Sequence, residues 1–280
     1  MVGPEAKKEV STYLRGAYKI SERWAFEIVG LNRSSGRYKT RRKSDAVLID
    51  RIMMLALERR RFGYRRIFFL LRREGYTVNK KKVFRLYHEA GLSVRRRKGR
   101  KKARGSRFER QPVTRPNQRW SLDFVFDQLS DGRKIKLMTV VDEFTRENLT
   151  VEVARSIKGT DVVRALEKII AVRGKPEQIQ SDNGSEFTSN VVLGWVHQQE
   201  IEWRYIEPGK PTQNSHIESF NGKIRDECLN ENWFETLHEA KALIEIWRKD
   251  YNEARPHGSL NGLTPMTFAK EMNKNFKKTA

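Results

Sequence analysis

The chain has 280 residues, enough for about two domains, with 57 Lys+Arg against 35 Asp+Glu and a formal net charge of +22. Its 38% hydrophobic and 10% aromatic content supplies a real core, which excludes wholesale disorder. The charge is uneven: residues 1–120 hold 35 Lys+Arg and 10 Asp+Glu, against 22 and 25 in residues 121–280, so the first part carries +25 and the rest −3.

A polyanion is the partner such a field favours, and nucleic acid is the commonest one because neutralised phosphates release counterions. No apolar run approaches the roughly 18 residues that span a bilayer. The N-terminus, Met-Val-Gly-Pro-Glu-Ala-Lys-Lys, has no apolar signal-peptide stretch. A soluble intracellular protein without a membrane partner is expected. One cysteine, Cys228, allows neither an internal disulfide nor a cysteine metal site.

In chain order, residues 1–42 read as a first helix-turn-helix unit with helices near 6–16, 21–29 and 33–38. Ser21 is the expected N-cap of the second helix, Gly30 the tight turn, and Arg33 and Ser34 open a helix suited to face phosphates. A plain helical bundle with a basic surface is the alternative. Residues 43–94 read as a second such unit, with a helix capped by Ser44 or Asp45 and running to about Arg60. Tyr64 to Glu74 and Asn79 to Ala90 follow. The last helix sets Lys80, Lys81, Lys82 and Arg85 against Val83, Leu86 and Tyr87, the composition of a recognition helix. A solvated basic face is its alternative. Residues 95–117 form a linker whose Arg96, Arg97, Lys101 and Lys102 belong to a run of like charges, expected to be extended until it tracks DNA.

After Trp120 the apolar period changes to two, the signature of a strand. Trp120 to Phe126, Ile135 to Val141 and Asn148 to Val153 read as a meander, with Trp120 as core. Gln178 to Ser181 and Trp203 to Ile206 read as further strands between helices near 160–172 and 189–199. Helices near 214–228 and 237–252 close the pattern. The expected class is α/β, a mixed five-stranded sheet flanked by helices and preceded by two all-α units. Its core spans residues 118–235, with a C-terminal helical segment over 236–280.

Three acids fall where such a sheet brings strand ends and helix starts together. They are Asp123 in the first strand, Asp182 at the end of the fourth and Glu218 near the start of the following helix. Three oxygen donors suit Mg²⁺. Two such ions about 4 Å apart serve phosphodiester displacement. Acids are common in this chain, so local context decides: Trp120-Ser-Leu-Asp123-Phe, Ser181-Asp182-Asn-Gly-Ser-Glu-Phe187 and Pro211-Thr-Gln-Asn-Ser-His-Ile-Glu218-Ser-Phe-Asn221, with 35 residues between Asp182 and Glu218.

These motifs closely resemble the catalytic core of retroviral integrases and, more specifically, of OrfB-type transposases of the bacterial IS-three insertion-sequence family. The segments Asp250-Tyr-Asn-Glu-Ala-Arg255-Pro-His257-Gly-Ser-Leu260 and Leu263-Thr-Pro265 resemble that family's close, and the two N-terminal units and basic linker are similar as well. The resemblance implies an RNase-H-like fold and metal-dependent cutting and joining of DNA, with Asp123, Asp182 and Glu218 as ligands of two Mg²⁺ (or Mn²⁺) ions. Water would open the phosphodiester at the element's end, and the freed 3′ hydroxyl would attack a second one in line. Arg225 matches the family's basic residue seven positions after the Glu and lies on its helix face, suited to hold a phosphate. The implied setting is the bacterial cytoplasm and nucleoid. The implied partners are double-stranded DNA, further copies of the chain on DNA, and an upstream OrfA-type protein or fusion with a helix-turn-helix and a leucine zipper, since no sustained heptad run appears here.

Around these residues, Glu186 is either a fourth ligand or a loop-shaping residue, with the loop role favoured, and Asp142 is expected to be structural. His216, two positions before Glu218, is placed to touch substrate or metal-bound water, or equally to cap its helix or contact a phosphate. Asn214, Asn221 and Lys223 are candidates for DNA contact. Tyr251, Arg255 and His257 have no role readable from sequence. The rival functions are a DNA-binding repressor or accessory subunit with a vestigial core, and a structure-selective nuclease of the same fold.

Overall fold

The computed structural model describes residues 3–38, 45–94, 112–207 and 214–279. The linker residues Arg96, Arg97, Lys101 and Lys102 and the proposed cap Ser44 lie outside the described residues. The chain forms two compact units, residues 1–48 and 49–280.

The first unit holds α1 (Pro4–Tyr18), α2 (Glu22–Ile28) and α3 (Arg33–Arg37). Ser21 caps α2, its Oγ accepting the Trp24 N–H at 3.2 Å, and Asn32 caps α3 through the Ser34 N–H at 3.1 Å. Gly30 takes φ +59° between them. A Cβ on Gly36 would overlap the Phe26 ring, so glycine lets α3 lie directly on α2.

Helix α4 (Ala46–Glu58) begins as the first unit ends, and α5 (Tyr64–Arg73) and α6 (Lys80–Glu89) follow in the second. Ile67 and Leu71 on α5 and Val83, Leu86 and Tyr87 on α6 are buried at helical spacing. Asn79 caps α6 by accepting the Lys81 N–H at 2.8 Å.

The sheet contains β1 (Arg119–Gln128), β2 (Lys134–Asp142), β3 (Asn148–Ala154), β4 (Gln178–Ser181) and β5 (Glu202–Tyr205) in the order β3-β2-β1-β4-β5. The first three strands pair antiparallel, while β4 pairs parallel to β1 and β5 parallel to β4. This is the mixed sheet expected from the change of period.

Alternation along β1 sends successive side chains to opposite faces. Trp120 and Leu122 join a core with α7 (Gly159–Arg173) and α8 (Asn190–Gln199), and Phe124 packs against it. Val125 joins a second core with α9 (Ser215–Glu227) and α10 (Leu237–Glu253). Asp123 shares the α9 side of β1, which brings a strand carboxylate toward a helix. Burying an apolar side chain contributes roughly 1.5–3 kcal/mol, so two filled cores hold that strand firmly.

The last helix, α11 (Pro265–Thr279), adds to the elements read from sequence. Its signal was present: Thr264 Oγ1 accepts the Thr267 N–H at 3.1 Å, followed by Pro265 at the first helical position. Just before it, Gly262 takes φ +85°, and a Cβ there would overlap the Phe69 ring of α5. Gly262→Ala is therefore expected to cost about 1–3 kcal/mol, through backbone strain plus a displaced ring. An unchanged thermal midpoint for that variant would contradict this packing.

Candidate active site

The floor of the site is β1. Asp123 is half-buried; one carboxylate oxygen accepts the Phe124 N–H at 2.8 Å and the other accepts Asn221 Nδ2 at 2.8 Å. Asn221 is itself fixed, because the Thr139 hydroxyl on β2 lies 2.9 Å from its Oδ1 and 3.1 Å from the Asp123 carbonyl. Thr139 stands opposite Asp123 in the strand register. A chain of β2, α9 and β1 side chains thus aims Asp123.

Asp182 follows directly on β4. Its Oδ1 accepts the Gly184 N–H at 3.1 Å, a tight Asx-type turn that sends the loop back across the strand end. The loop is pinned by Phe187, stacked on Phe124 with ring centres 4.6 Å apart, and by the Tyr205 hydroxyl donating to the Phe187 carbonyl at 2.9 Å. Glu186 pairs with Lys136, whose ammonium lies 3.7 Å from the Phe124 ring centre. That pair gives Glu186 a loop-fixing role.

Glu218 is exposed in the first turn of α9. Its position brings it into electrostatic reach of Asp123, as does that of Asp182. Burial pushes the Asp123 carboxyl up to about 6 from 3.8, and the neighbouring Asp182 and Glu218 charges push the same way. The Phe124 amide and Asn221 oppose the shift. Among the described residues none of the three carboxylates has a cationic side chain as partner. Nor is any group of three or more His, Cys, Asp and Glu already drawn close enough to form a metal cage. Three hard-oxygen donors without a cationic partner, two of them raising the carboxyl of the third, are the donor chemistry that suits a divalent cation of the Mg²⁺ kind.

Arg225, on α9 seven positions after Glu218, is exposed, and its Nη2 donates to the Phe126 carbonyl at 2.9 Å. The other expected contact residues on this helix have protein partners. Asn214 is buried and its Nδ2 lies 3.4 Å from the Leu122 carbonyl, while its Oδ1 is buried without a partner among the described residues. His216 touches the Arg146 guanidinium. Lys223 is half-buried beside Tyr251, 5.9 Å from the ring centre. Burial, then the nearby Arg255 charge, pushes its ammonium down to about 8.

Elsewhere, Arg33 and Ser34 are exposed at the start of α3, and Lys80, Lys81 and Arg85 are exposed on α6. Lys82 is half-buried, and Arg85 also pairs with Glu89 at 3.0 Å. Asp142 is fully buried and accepts the Asn117, Phe144 and Thr145 amides, a turn-building role. Sequence reasoning did not find Thr139, because a threonine in a strand gives no sign of which side chain it will meet across the sheet.

Comparison with known proteins places this geometry in a family. Two models described as "Integrase core domain" match residues 113–211 and 199–265, and one described as "HTH-like domain" matches residues 43–100. The chain is 49% identical over 260 residues to the Insertion element IS407 uncharacterized 31.7 kDa protein of Burkholderia multivorans, covering 91% of this chain and 93% of that one. It is 45% identical over 269 residues to the Insertion element IS476 uncharacterized 39.2 kDa protein of Xanthomonas euvesicatoria, covering 96% and 78%. In fold it is similar to a chain of the simian T-cell lymphotropic virus intasome solved with PP2A regulatory subunit B56 gamma, with a TM-score of 0.52, 15% identity and coverage of 78% and 73%. No helix of the described residues is long and apolar enough to cross a membrane. An RNase-H-like sheet preceded by a helix-turn-helix-like region, with near-full-length likeness to insertion-element proteins, settles the family: the chain belongs to the OrfB-type transposases of the IS-three insertion sequences.

Proposed function

We propose that the chain cuts DNA at insertion-sequence ends and joins the freed 3′ hydroxyl to a second phosphodiester, with Asp123, Asp182 and Glu218 as metal ligands. The observation that supports this reading is that Asp182, after β4, and Glu218, in the first turn of α9, both act electrostatically on Asp123 of β1, none of the three having a cationic partner among the described residues. Two Mg²⁺ or Mn²⁺ ions, when bound, supply Lewis acidity at the scissile phosphate and favour the deprotonated nucleophile.

The protein's own groups do the rest. Asn221 and Thr139 hold Asp123 in one rotamer, so the carboxylate needs little reorganisation when the substrate arrives. Arg225, exposed on the Glu218 face of α9, offers further guanidinium donors to a phosphate. The exposed Lys80, Lys81 and Arg85 on α6, and separately Arg33 at the start of α3, neutralise duplex phosphates, and DNA contacts are assigned also to Lys82, to Ser34 and to the linker residues Arg96, Arg97, Lys101 and Lys102, which lie outside the described residues. In this scheme residues 1–42 and 43–94 read DNA, 95–117 track it, and 118–280 do the chemistry. An element has two ends, so several copies act together on DNA, with an OrfA-type partner or fusion as the expected source of a zipper.

The test is incubation of purified protein with a duplex bearing the terminal repeat that borders the coding frame. Cleavage and strand transfer should require Mg²⁺ or Mn²⁺. Tight binding with no metal-dependent cleavage at any protein concentration would favour a repressor, and cutting of branched DNA without joining would favour a nuclease. Asn221→Ala, which frees Asp123 from its helix partner, should slow single-turnover cleavage by about 10- to 100-fold at unchanged DNA affinity. Wild-type rates across a metal titration would remove the positioning role of Asn221.

A further inference from the structure

The ends of α9 and α10 and the segment that follows, the region of Tyr251, Arg255 and His257, whose roles the chemistry leaves open, are where residues 59–73 of the HTH-like region pack. Four arginines of residues 59–73 reach the core. Arg59 Nη2 meets Asp250 Oδ1 at 2.6 Å, and Arg61 Nε meets Glu231 Oε1 at 2.8 Å. Arg66 Nη1 meets Glu227 Oε1 at 2.9 Å, and Arg73 donates to the carbonyls of Ala254 and Gly262 at 2.5 and 2.7 Å. Phe69 fills the space that the absent Gly262 side chain leaves.

The Glu227 contact is the one that reaches the chemistry. Glu227 ends α9, the helix whose first turn carries Glu218, about 13 Å away along a rigid axis. Its carboxylate is shared: Arg255 Nε and Nη2 grip both oxygens at 2.7 and 2.6 Å, and Arg66 from α5 takes the remaining side. The Arg255 and Glu227 side chains are only 2% and 8% exposed. With four arginines committed to the core, α6 keeps Lys80, Lys81 and Arg85 exposed.

We propose that the Arg66–Glu227–Arg255 junction, with Arg59–Asp250 beside it, is a positioning device that sets the distance from the DNA held by α6 to the three carboxylates and so selects which phosphodiester is cut. It rests on the cleavage reading above. A protein that grips DNA with one unit and cuts with another must fix the offset between them, because a hinge would spread cleavage along the strand. One shared carboxylate on the helix that carries Glu218 removes that hinge.

The experiment compares the full chain with Arg66→Met, Arg59→Asp, Asp250→Arg and the Arg59→Asp/Asp250→Arg swap on an end-labelled duplex bearing the terminal repeat. Arg66→Met leaves Glu227 paired with Arg255, so the core remains intact. Cleavage positions are read at single-nucleotide resolution and bound DNA by hydroxyl-radical footprint. The wild type should cut at one phosphodiester. Arg66→Met, Arg59→Asp and Asp250→Arg should spread the cuts over neighbouring positions and shorten or blur the footprint, with affinity changed less than threefold, and the swap should restore one position. Variants that cut at the wild-type position with a wild-type footprint, or a swap that fails to restore it, would overturn the proposal. A wild type that binds without cutting would remove the cleavage reading instead, and the footprints would still decide whether the junction fixes register.

Discussion

Asp123→Asn, Asp182→Asn and Glu218→Gln are each expected to reduce DNA cleavage and joining on the order of a thousandfold or more, while the dissociation constant for the terminal duplex stays within about twofold, since phosphate contacts made elsewhere supply the affinity. Asp123→Asn carries a second, less obvious outcome. Burial and two like-charged neighbours raise the folded carboxyl to about 6 from an unfolded value near 3.8. A raised carboxyl favours the folded state only while protonated. Its contribution is complete below pH 3.8 and is lost as pH climbs toward 6. At pH 7.5 the charged Asp123 therefore opposes folding by about 1–3 kcal/mol, and the neutral amide should relieve that strain. The metal-free Asp123→Asn chain should unfold at a higher temperature than wild type. Added Mg²⁺ should raise the wild-type midpoint and leave the variant's nearly unmoved. Thermal unfolding with and without Mg²⁺, beside single-turnover cleavage, checks both halves. A variant that still cuts at the wild-type rate would end the assignment of Asp123.

The architecture was legible because it is written in period. The switch from helical spacing to the alternation of Trp120, Leu122 and Phe124 announces the sheet, and the same alternation tells which side of β1 Asp123 occupies. The places of the three carboxylates in the fold were legible through their neighbours, since Asp182-Asn-Gly and the start of α9 mark a strand end and a helix start. What holds them was not. Thr139, Asn221 and Asp123 meet through 2.8 to 3.1 Å contacts between residues 16 to 98 positions apart, and no local pattern records which partner a polar side chain will find. Lys223 shows the same limit in reverse. On a helical wheel it is one more cation near the site, and only the fold reveals it half-buried against Tyr251. The arginines of residues 59–73 stand in a strongly basic stretch whose sequence does not tell which of them face the core. Those at 59, 61, 66 and 73 are turned inward because Asp250, Glu231, Glu227 and two carbonyls meet them there.

Breaking the Glu227–Arg255 pair should produce the largest loss of stability in the chain. Both side chains are nearly inaccessible, and the fork of Arg255 satisfies both carboxylate oxygens. Removing one partner strands a buried charge, a change that costs about 3–5 kcal/mol, or on the order of 10 °C in the midpoint for a unit of this size. Arg255→Ala should be the worse of the two substitutions, because Glu227 would keep only Arg66. Arg66→Met should cost far less, because Arg255 remains. The pH dependence follows from the two buried groups. Burial opposes the Glu227 charge, but the Arg255 and Arg66 guanidiniums hold its carboxyl below the usual range. Its contribution is thus present above pH 4.5 and is lost as pH falls below that. Burial and the Arg255 charge push the His257 imidazole down to about 2, so it stays neutral when folded and takes up a proton on unfolding once pH drops below 6.5. Protonation of Asp123 below pH 6 adds stability in the same window, so the two losses are read in the Asp123→Asn background, where midpoints from pH 8 to pH 4 should decline in two stages, the first absent once His257→Gln is added and the second weakened by Glu227→Gln. A flat profile between pH 6.5 and 4.5 in Asp123→Asn would refute a buried neutral His257.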